Sequence, residues 1–565
     1  MRKQTKLVAV LSTAALLAIG ASMTSCAAQG WAEEDGTWVY YDKNGDKVTE
    51  SWKKSGDNWY WLDDNGEMAV DMLIEDDDNY YYVNENGAMV TNQWVAVENE
   101  DAGEDDEPDH YWYYFQANGK AYKRSDSAST NSISAKVING KKYAFDTEGR
   151  MLYGWVSDGE RQTDDDAWMT CEYYFGDEDD GAMSIGWRLL NIIDDNYEEA
   201  QPGDEYWDEE QDRWFYFQSS GKKKAGGEKD FTDKTINGKK YGFDKYGRMV
   251  ASWYTTATAA VASQGKADYT STFMYFNSPE DGARYTKGWF KVTPGYYLHE
   301  SKYNDGDEYW YYADGDGEIY SNVIKTIKGK KYAFDEYGRM ISGLVFLEMK
   351  ESSTSSEIEA KYANDSDTTG HYDTADDFDK FVSGEFDDTY PGMIADGTLR
   401  CYYFGGSDDG SMKTGKQNVD IDGDTFTFKF KTSSNLKGAG INGMDDDKLY
   451  TAGKQIKADK DDKYQVVKVE GNVIKKLTLK EFLNGEMGLD INHGDYDSDD
   501  EETTWEVPKA KYNDADGATA KYYLVNSSGT VIKSKSGAKD GDDYKFYVGG
   551  SGVAKYQITK VVLED

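Results

Sequence analysis

From Gly30 onward the chain repeats a unit of about twenty residues: a tryptophan-opened segment, a polar turn, an aromatic run and an Asx/Gly turn. The unit stands as GWAEEDGTWVYYDKNGDKVTE from Gly30 and as SWKKSGDNWYWLDDNGEMAV from Ser51, with a weaker copy from Asp71. Period-two alternation across each aromatic run, bounded by turn residues, predicts a β-hairpin. A hairpin this short cannot bury its own rings and has to stack on its neighbours. The expected fold class is therefore all-β, a solenoid of stacked short β-hairpins with acidic loop insertions.

A longer period is laid over the short one. INGKKYAFDTEGRM from Ile138 returns as INGKKYGFDKYGRM from Ile236 and IKGKKYAFDEYGRM from Ile327. Aligned on the glycine after each aromatic run, these are hairpins of the same kind, and three types recur in order. The first is the repeated sentence itself. The second is YYFGDEDDGAM at Tyr173, MYFNSPEDGAR at Met274 and YYFGGSDDGSM at Tyr402. The third is WYYFQANGK at Trp112, WFYFQSSGK at Trp214 and WYYADGDGE at Trp310. The expected organisation is a signal peptide at 1–28, short repeats at 29–94, and a repeat with an acidic insert and linker at 95–136. Three-hairpin modules follow at 137–234, 235–325 and 326–415, the last carrying a long acidic insert, and degenerate repeats cap the array over 416–565. The insert from Glu348 to Arg400 is expected to be a solvated spacer with a short helix in TADDFDKFVSG, and LTLKEFLNGEMGLD from Leu477 to be a second short helix.

The first 28 residues carry Arg2, Lys3 and Lys6, an apolar run from Leu7 to Gly20 and small residues up to Ala28, the pattern of a secretory signal peptide. Cleavage near Ala27 or Ala28 is the preferred reading; acylation at Cys26, preceded by Met23, Thr24 and Ser25, is the alternative. No later stretch reaches the roughly 18 apolar residues a membrane span needs. Loss of the three leader cations takes the net charge from −43 to −46, which disfavours nucleic acid and anionic lipid as partners. Cys171 and Cys401 are 230 residues apart, and His110, His299, His371 and His493 are scattered without ligand spacing. We expect no structural disulfide, no metal site and no cofactor. The acidic runs DGDGE at Asp314, DIDGD at Asp420 and DSDDEE at Asp497 complete no calcium loop.

The order Gly-Trp, turn, W-Y-Y, Asx-Gly turn, Met and a new Gly-Trp resembles the choline-binding or cell-wall-binding repeat of Gram-positive bacteria. The best matches are Trp31 to Thr49 and Trp52 to Met68, and the likeness extends over most of residues 30 to 415. The INGKKYAFD form resembles the related repeats of clostridial toxins and streptococcal glucan-binding proteins. The first resemblance implies cages for a quaternary ammonium, built from two rings of one hairpin and a third from the next turn. Aromatic faces carry negative potential, so several of them hold a cation that cannot donate hydrogen bonds.

Alternation along the strand puts Trp38 and Tyr40 on one face, with Trp52 expected to arrive from the following turn. In the same way Trp59 pairs with Trp61, and Tyr80 and Tyr82 with Trp94. Type-three hairpins contribute Trp112 with Tyr114, Trp214 with Tyr216 and Trp310 with Tyr312; type-two hairpins contribute Tyr174 and Tyr275. Trp187 and Trp289 are expected as walls, whereas Met72 and Leu344 are read as positions where the wall ring is lost. The repeated sentence is expected to cage nothing, because Lys142, Lys240 and Lys331 replace its first ring; Tyr143 and Phe145 are assigned to the core.

No Ser/His/Asp set, paired-carboxylate scaffold, HExxH or Cys/His dyad is present, so no enzyme is expected. The expected function is non-catalytic attachment of a secreted protein to the Gram-positive cell wall, the partner being choline-decorated teichoic acid or a wall polysaccharide. The alternatives are a glycan-binding module, and a spacer or adhesin whose acidic loops meet a host-surface partner.

Overall fold

The computed structural model describes residues 29–564 except 105, 129–132, 194–209, 228–230, 351–355, 364–371, 373 and 514–518. The expected leader and Cys26 lie outside the described residues. The chain divides into two compact units, Met1–Asp195 with Glu209–Ala225 and Tyr246–Arg248, and Asn196–Asp208 with Gly226–Lys245 and Met249–Asp565.

The first unit is a succession of antiparallel hairpins. Hairpin 1 pairs Gly30–Glu34 with Thr37–Tyr41, hairpin 2 Ser51–Ser55 with Asn58–Leu62, and hairpin 3 Met72–Asp76 with Asn79–Val83. Hairpin 4 pairs Gln93–Glu98 with His110–Phe115, and hairpin 5 Lys136–Ile138 with Lys141–Tyr143. Hairpin 6 pairs Gly154–Ser157 with Tyr173–Phe175, and hairpin 7 Gly186–Ile193 with Glu210–Phe217. In the second unit, hairpin 8 pairs Thr232–Ile236 with Lys239–Phe243 and hairpin 9 Ser252–Thr255 with Phe273–Phe276. Hairpin 10 pairs Gly288–Val292 with Tyr309–Ala313, hairpin 11 Val323–Ile327 with Lys330–Phe334, and hairpin 12 Leu344–Met349 with Leu399–Tyr403. The expected all-β fold of stacked hairpins is what the chain adopts.

The second strands of hairpins 1, 2, 3 and 5 end in the same turn. The side-chain oxygen of Asp42, Asp63, Asn84 or Asp146 accepts from the amides two and four residues on, at 2.7–3.0 Å, an Asx geometry that reverses the chain. The glycine closing it is needed for its backbone: Gly66 has φ +77°, and a β-carbon there would lie 3.0 Å from the Val48 carbonyl oxygen of the preceding hairpin.

The residue after the turn then joins its hairpin to the one before. The amide of Met68 donates to the Trp38 carbonyl (2.7 Å), Met89 to Trp59 (2.8 Å), Ala121 to Tyr80 (2.8 Å), Met151 to Trp112 (2.7 Å) and Met183 to Lys142 (2.8 Å). In the second unit Arg284 donates to Lys240 (2.9 Å), Met340 to Trp310 (2.7 Å) and Met412 to Lys331 (2.8 Å). The bond uses only main-chain groups, so it tolerates tryptophan, tyrosine or lysine at the accepting position. The residue at the middle of each second strand faces inward: Tyr60, Tyr81, Tyr113, Tyr143 and Tyr311 are buried.

Asn84 forms this turn without a charge, whereas burial pushes the Asp146 carboxyl up to about 6. An acid whose folded pKa is raised costs stability that is absent below the unfolded pKa, grows between the two values and is complete above the folded one. Asp146→Asn is expected to stabilise the first unit by about 2 kcal/mol at pH 8 and by nearly nothing below pH 4, as urea melts at the two pH values will report.

The long acidic insert is not a solvated spacer. It supplies strand Ile358–Tyr362, which pairs with Leu344–Met349, and helices Ala375–Ser383 and Tyr390–Asp396. Tyr372, Phe378, Phe381, Val382 and Ile394 are buried in one core with Phe346, Phe428 and Phe430. Phe378, Phe381 and Val382 share a helical face at i, i+3 and i+4, while Asp379 pairs with Lys454 and Lys476 of the tail, and the Thr374 hydroxyl caps the helix by accepting from the Asp377 amide at 3.1 Å.

The tail also departs from the degenerate-repeat expectation, because its strands pair beyond their hairpins. Gly415–Ile421, Asp424–Phe430, Lys454–Gln455, Lys448–Thr451 and Gly443–Asp445 form one five-stranded sheet in that order. Asp495–Asp497, Glu502–Glu506, Ile558–Glu564, Tyr544–Val548 and Lys535–Lys539 form another. The helix expected after Leu477 spans Glu481–Met487 as a π-helix, and a capping box starts it: the Glu481 amide donates to the Thr478 hydroxyl and the Thr478 amide to the Glu481 carboxylate. Its Phe482, Leu483 and Met487 are buried with Trp505 and Phe546. Cys171 and Cys401 are buried free thiols.

Candidate functional site

In the tryptophan-opened hairpins the second residue of the first strand stands opposite a ring on the second strand: Trp31 opposite Tyr40, Trp52 opposite Trp61, Trp94 opposite Tyr114 and Trp155 opposite Tyr174. Trp187 likewise faces Tyr216, Trp253 faces Tyr275, and Trp289 faces Tyr312. The paired ring centroids are 5.0–5.4 Å apart and meet edge to face. The same tryptophan also meets the inward ring of the next hairpin: Trp31 with Tyr60 at 5.4 Å, Trp52 with Tyr81 at 5.1 Å, Trp94 with Tyr143 at 4.9 Å and Trp289 with Tyr332 at 4.8 Å. It is the rivet between neighbours.

This register revises the sequence assignments. Tyr40 meets Trp31 of its own hairpin, and Trp52, of the following hairpin as expected, meets Trp61 and Tyr81; Trp94 meets Tyr114 rather than Tyr80 and Tyr82. Antiparallel pairing fixes these partners within a hairpin, and the Asx turn and return segment carry the next tryptophan a full step onward. The lost wall ring of hairpin 3 is at Leu73, opposite Tyr82, one residue beyond Met72, whereas that of hairpin 12 is at Leu344, opposite Tyr403, as expected. Trp59 and Trp61 flank the buried Tyr60 on one strand, and Trp59 is 41% exposed. The other candidate rings, including Trp38, Tyr80, Tyr82, Tyr174, Tyr216, Tyr275 and Tyr312, are half-buried.

Type-three hairpins hold a further geometry. Trp94 and Trp112 stand perpendicular, 6.5 Å apart at 85°; Trp187 and Trp214 are at 6.1 Å and 87°, and Trp289 and Trp310 at 6.4 Å and 86°. At hairpin 4 the inner corner of this pair is closed by Tyr143 of hairpin 5, with Met151 buried in the same cluster. At hairpin 10 the same place is taken by Tyr332 and Met340 of hairpin 11. A carboxylate then arrives from the turn of the hairpin after that. The Trp112 indole N–H donates to Asp179 Oδ1 (3.3 Å), and that of Trp310 to Asp408 Oδ1 (3.0 Å). His110 Nε2 lies 3.3 Å from Asp179.

The two corners differ in one respect. Lys291, opposite Trp310 in the sheet, places its ammonium 5.9 Å from the Trp310 ring and 3.2 Å from Asp408. The indole hydrogen bond and this lysine hold the Asp408 carboxyl below its ordinary range. The equivalent residue opposite Trp112 is Ala96, which brings no cation to the ring faces of the hairpin-4 corner. Each corner thus joins aromatic faces to a carboxylate, a combination that attracts a cation.

Tyr143 is buried in the core, as expected, and its ring also forms the third wall of the Trp94–Trp112 corner. The tyrosine of KKYAFD is the signal that could have shown it, since the hairpin after each type-three hairpin carries a tyrosine at that place, Tyr143, Tyr241 or Tyr332.

Comparison with known proteins adds the following. The family model described as the choline-binding repeat matches residues 48–94, which contain hairpins 2 and 3. The chain is 26% identical over 275 residues to Glucosyltransferase-S of Streptococcus mutans, across 41% of this chain and 16% of that protein's length. Among solved structures, the modular autolysin LytC of Streptococcus pneumoniae, in complex with a synthetic peptidoglycan ligand, aligns at 14% identity and a TM-score of 0.29, covering 64% of this chain and 59% of that one. The choline-binding domain of CbpL from the same organism aligns at 18% identity and a TM-score of 0.26, covering 46% of this chain and all of the other.

Proposed function

We propose that this is a secreted, non-catalytic surface protein that attaches to the Gram-positive cell wall by taking quaternary-ammonium groups, such as the choline of teichoic acid, into aromatic corners between its hairpins. The observation that carries the reading is the perpendicular Trp94–Trp112 pair, closed by Tyr143 and backed by Asp179. Three ring faces and one carboxylate suit a cation that cannot donate hydrogen bonds, and each face contributes roughly 0.5–2 kcal/mol. Weak sites spaced along one chain gain avidity on a repeating polymer through effective concentration. The match of residues 48–94 to the choline-binding repeat supports the same ligand.

Choline titration followed by tryptophan fluorescence tests this directly, and a saturable change is expected. No change up to tens of millimolar, together with retention on purified wall polysaccharide, would favour the second reading, glycan binding, for which the similarity to a glucosyltransferase speaks. A sharper test is Lys291→Met. Removing the internal ammonium from the Trp310 face is expected to tighten choline binding at hairpin 10 about tenfold and to leave hairpin 4 unchanged. Calorimetry on the variant would read this as a new high-affinity class of site.

A further inference from the structure

Hairpins 8 to 10 keep the backbone of the aromatic corner and replace its rings with charges. Asp233, opposite Gly242, occupies the place of Trp94 opposite Tyr114. Lys240 occupies that of Trp112. Arg284 occupies that of Met151, its amide donating to the Lys240 carbonyl at 2.9 Å as the Met151 amide does to Trp112. Asp316 lies in the turn of the third hairpin, the place from which Asp179 comes. These four residues line an open groove of about 430 Å³ together with Phe231 and Met274.

The charges are not equivalent. Arg284 is buried, 9% exposed, and its two terminal nitrogens bind both oxygens of Asp233 at 3.0 and 3.1 Å, so this pair neutralises itself and forms a fixed wall. Among the described residues neither the Lys240 ammonium nor the Asp316 carboxylate has an ion-pair partner, although both line one groove. A ligand of a single charge meets one attraction and one repulsion there. A ligand bearing both charges satisfies the two ends at once.

We infer that this groove binds a small zwitterion, an amino acid or short peptide with free termini, its ammonium toward Asp316, its carboxylate toward Lys240 and its side chains against Phe231 and Met274. The inference is independent of cation binding in the aromatic corners.

The test is calorimetric titration of the full chain with L-alanyl-L-alanine, with its N-acetylated and C-amidated forms, and with the neutral trisaccharide maltotriose. Dialanine is expected to bind, and capping either end to weaken it about tenfold. Asp316→Asn should abolish the difference between free and N-acetylated peptide. Arg284→Met, which restores the residue common at this place, should weaken all forms. Thermal melts establish that both variants fold; Asp316 is exposed, so its variant carries the test if Arg284→Met does not. No binding of dialanine up to about 50 mM, equal affinity for the capped peptides, or tighter binding of maltotriose would each overturn the inference.

Discussion

Trp94→Ala is expected to lower the stability of the first unit by about 3 kcal/mol and to remove a cation site as well, because one side chain serves both purposes. Its ring touches Trp112 and Tyr114 in its own hairpin and Tyr143 and Phe145 in the next, at 4.9–6.5 Å. Trp112 has a different standing. It is half-buried at the outer side of the corner, so Trp112→Ala is expected to cost less than about 1 kcal/mol of stability while removing one ring face from the bound cation, a loss of roughly tenfold in affinity. Urea melts and choline calorimetry on the two variants separate the roles. Equal destabilisation by both, or choline stoichiometry unchanged by either, would refute the division of labour between rivet and wall.

Phe381→Ala is expected to cost about 3–5 kcal/mol in the second unit, the range for emptying a buried aromatic site. The ring is fully buried, 4.6 Å from Phe346 and 4.6 Å from Tyr390, with Tyr362 and Tyr372 at 5.9 and 5.7 Å. The same substitution in a solvated spacer would fall within about 0.5 kcal/mol. Lys454 ties the insert further to the tail: its ammonium reaches the Asp379 carboxylate at 2.8 Å and lies 5.1 Å from the Phe378 ring. Denaturation of the variant followed by near-ultraviolet circular dichroism would decide the matter, and an unchanged midpoint would restore the spacer reading.

The hairpins were legible because everything that makes one is local. Asx turn, glycine and alternating rings lie within some twenty residues, and the partner strand is the next one along. What joins hairpins was not legible, since the joining bond runs from one backbone amide to one backbone carbonyl and leaves no mark on side-chain identity. Without it the phase between neighbours is open, and an error of one residue places the lost ring of hairpin 3 at Met72 instead of Leu73, while Leu344 of hairpin 12 is placed correctly. The same gap concealed Tyr143, whose inward position is plain from alternation but whose contact with Trp94 needs the register between hairpins. In the acidic insert, Phe378, Phe381 and Val382 did carry a helical spacing, masked by the aspartates around them. The tail's sheets depend on distant pairings such as Phe428 with Lys454, which no local pattern announces.

The corner at hairpin 4 draws its perpendicular rings from one hairpin, its third wall from the next and its carboxylate from the one after. Growth or loss of the gene by a single hairpin would break that succession, whereas recombination between two copies of the repeated sentence would gain or lose a complete site in one event. The long period is thus the smallest step by which copy number can change without leaving an incomplete pocket, and the near-identity of the three sentences offers recombination the sequence register at which to make it.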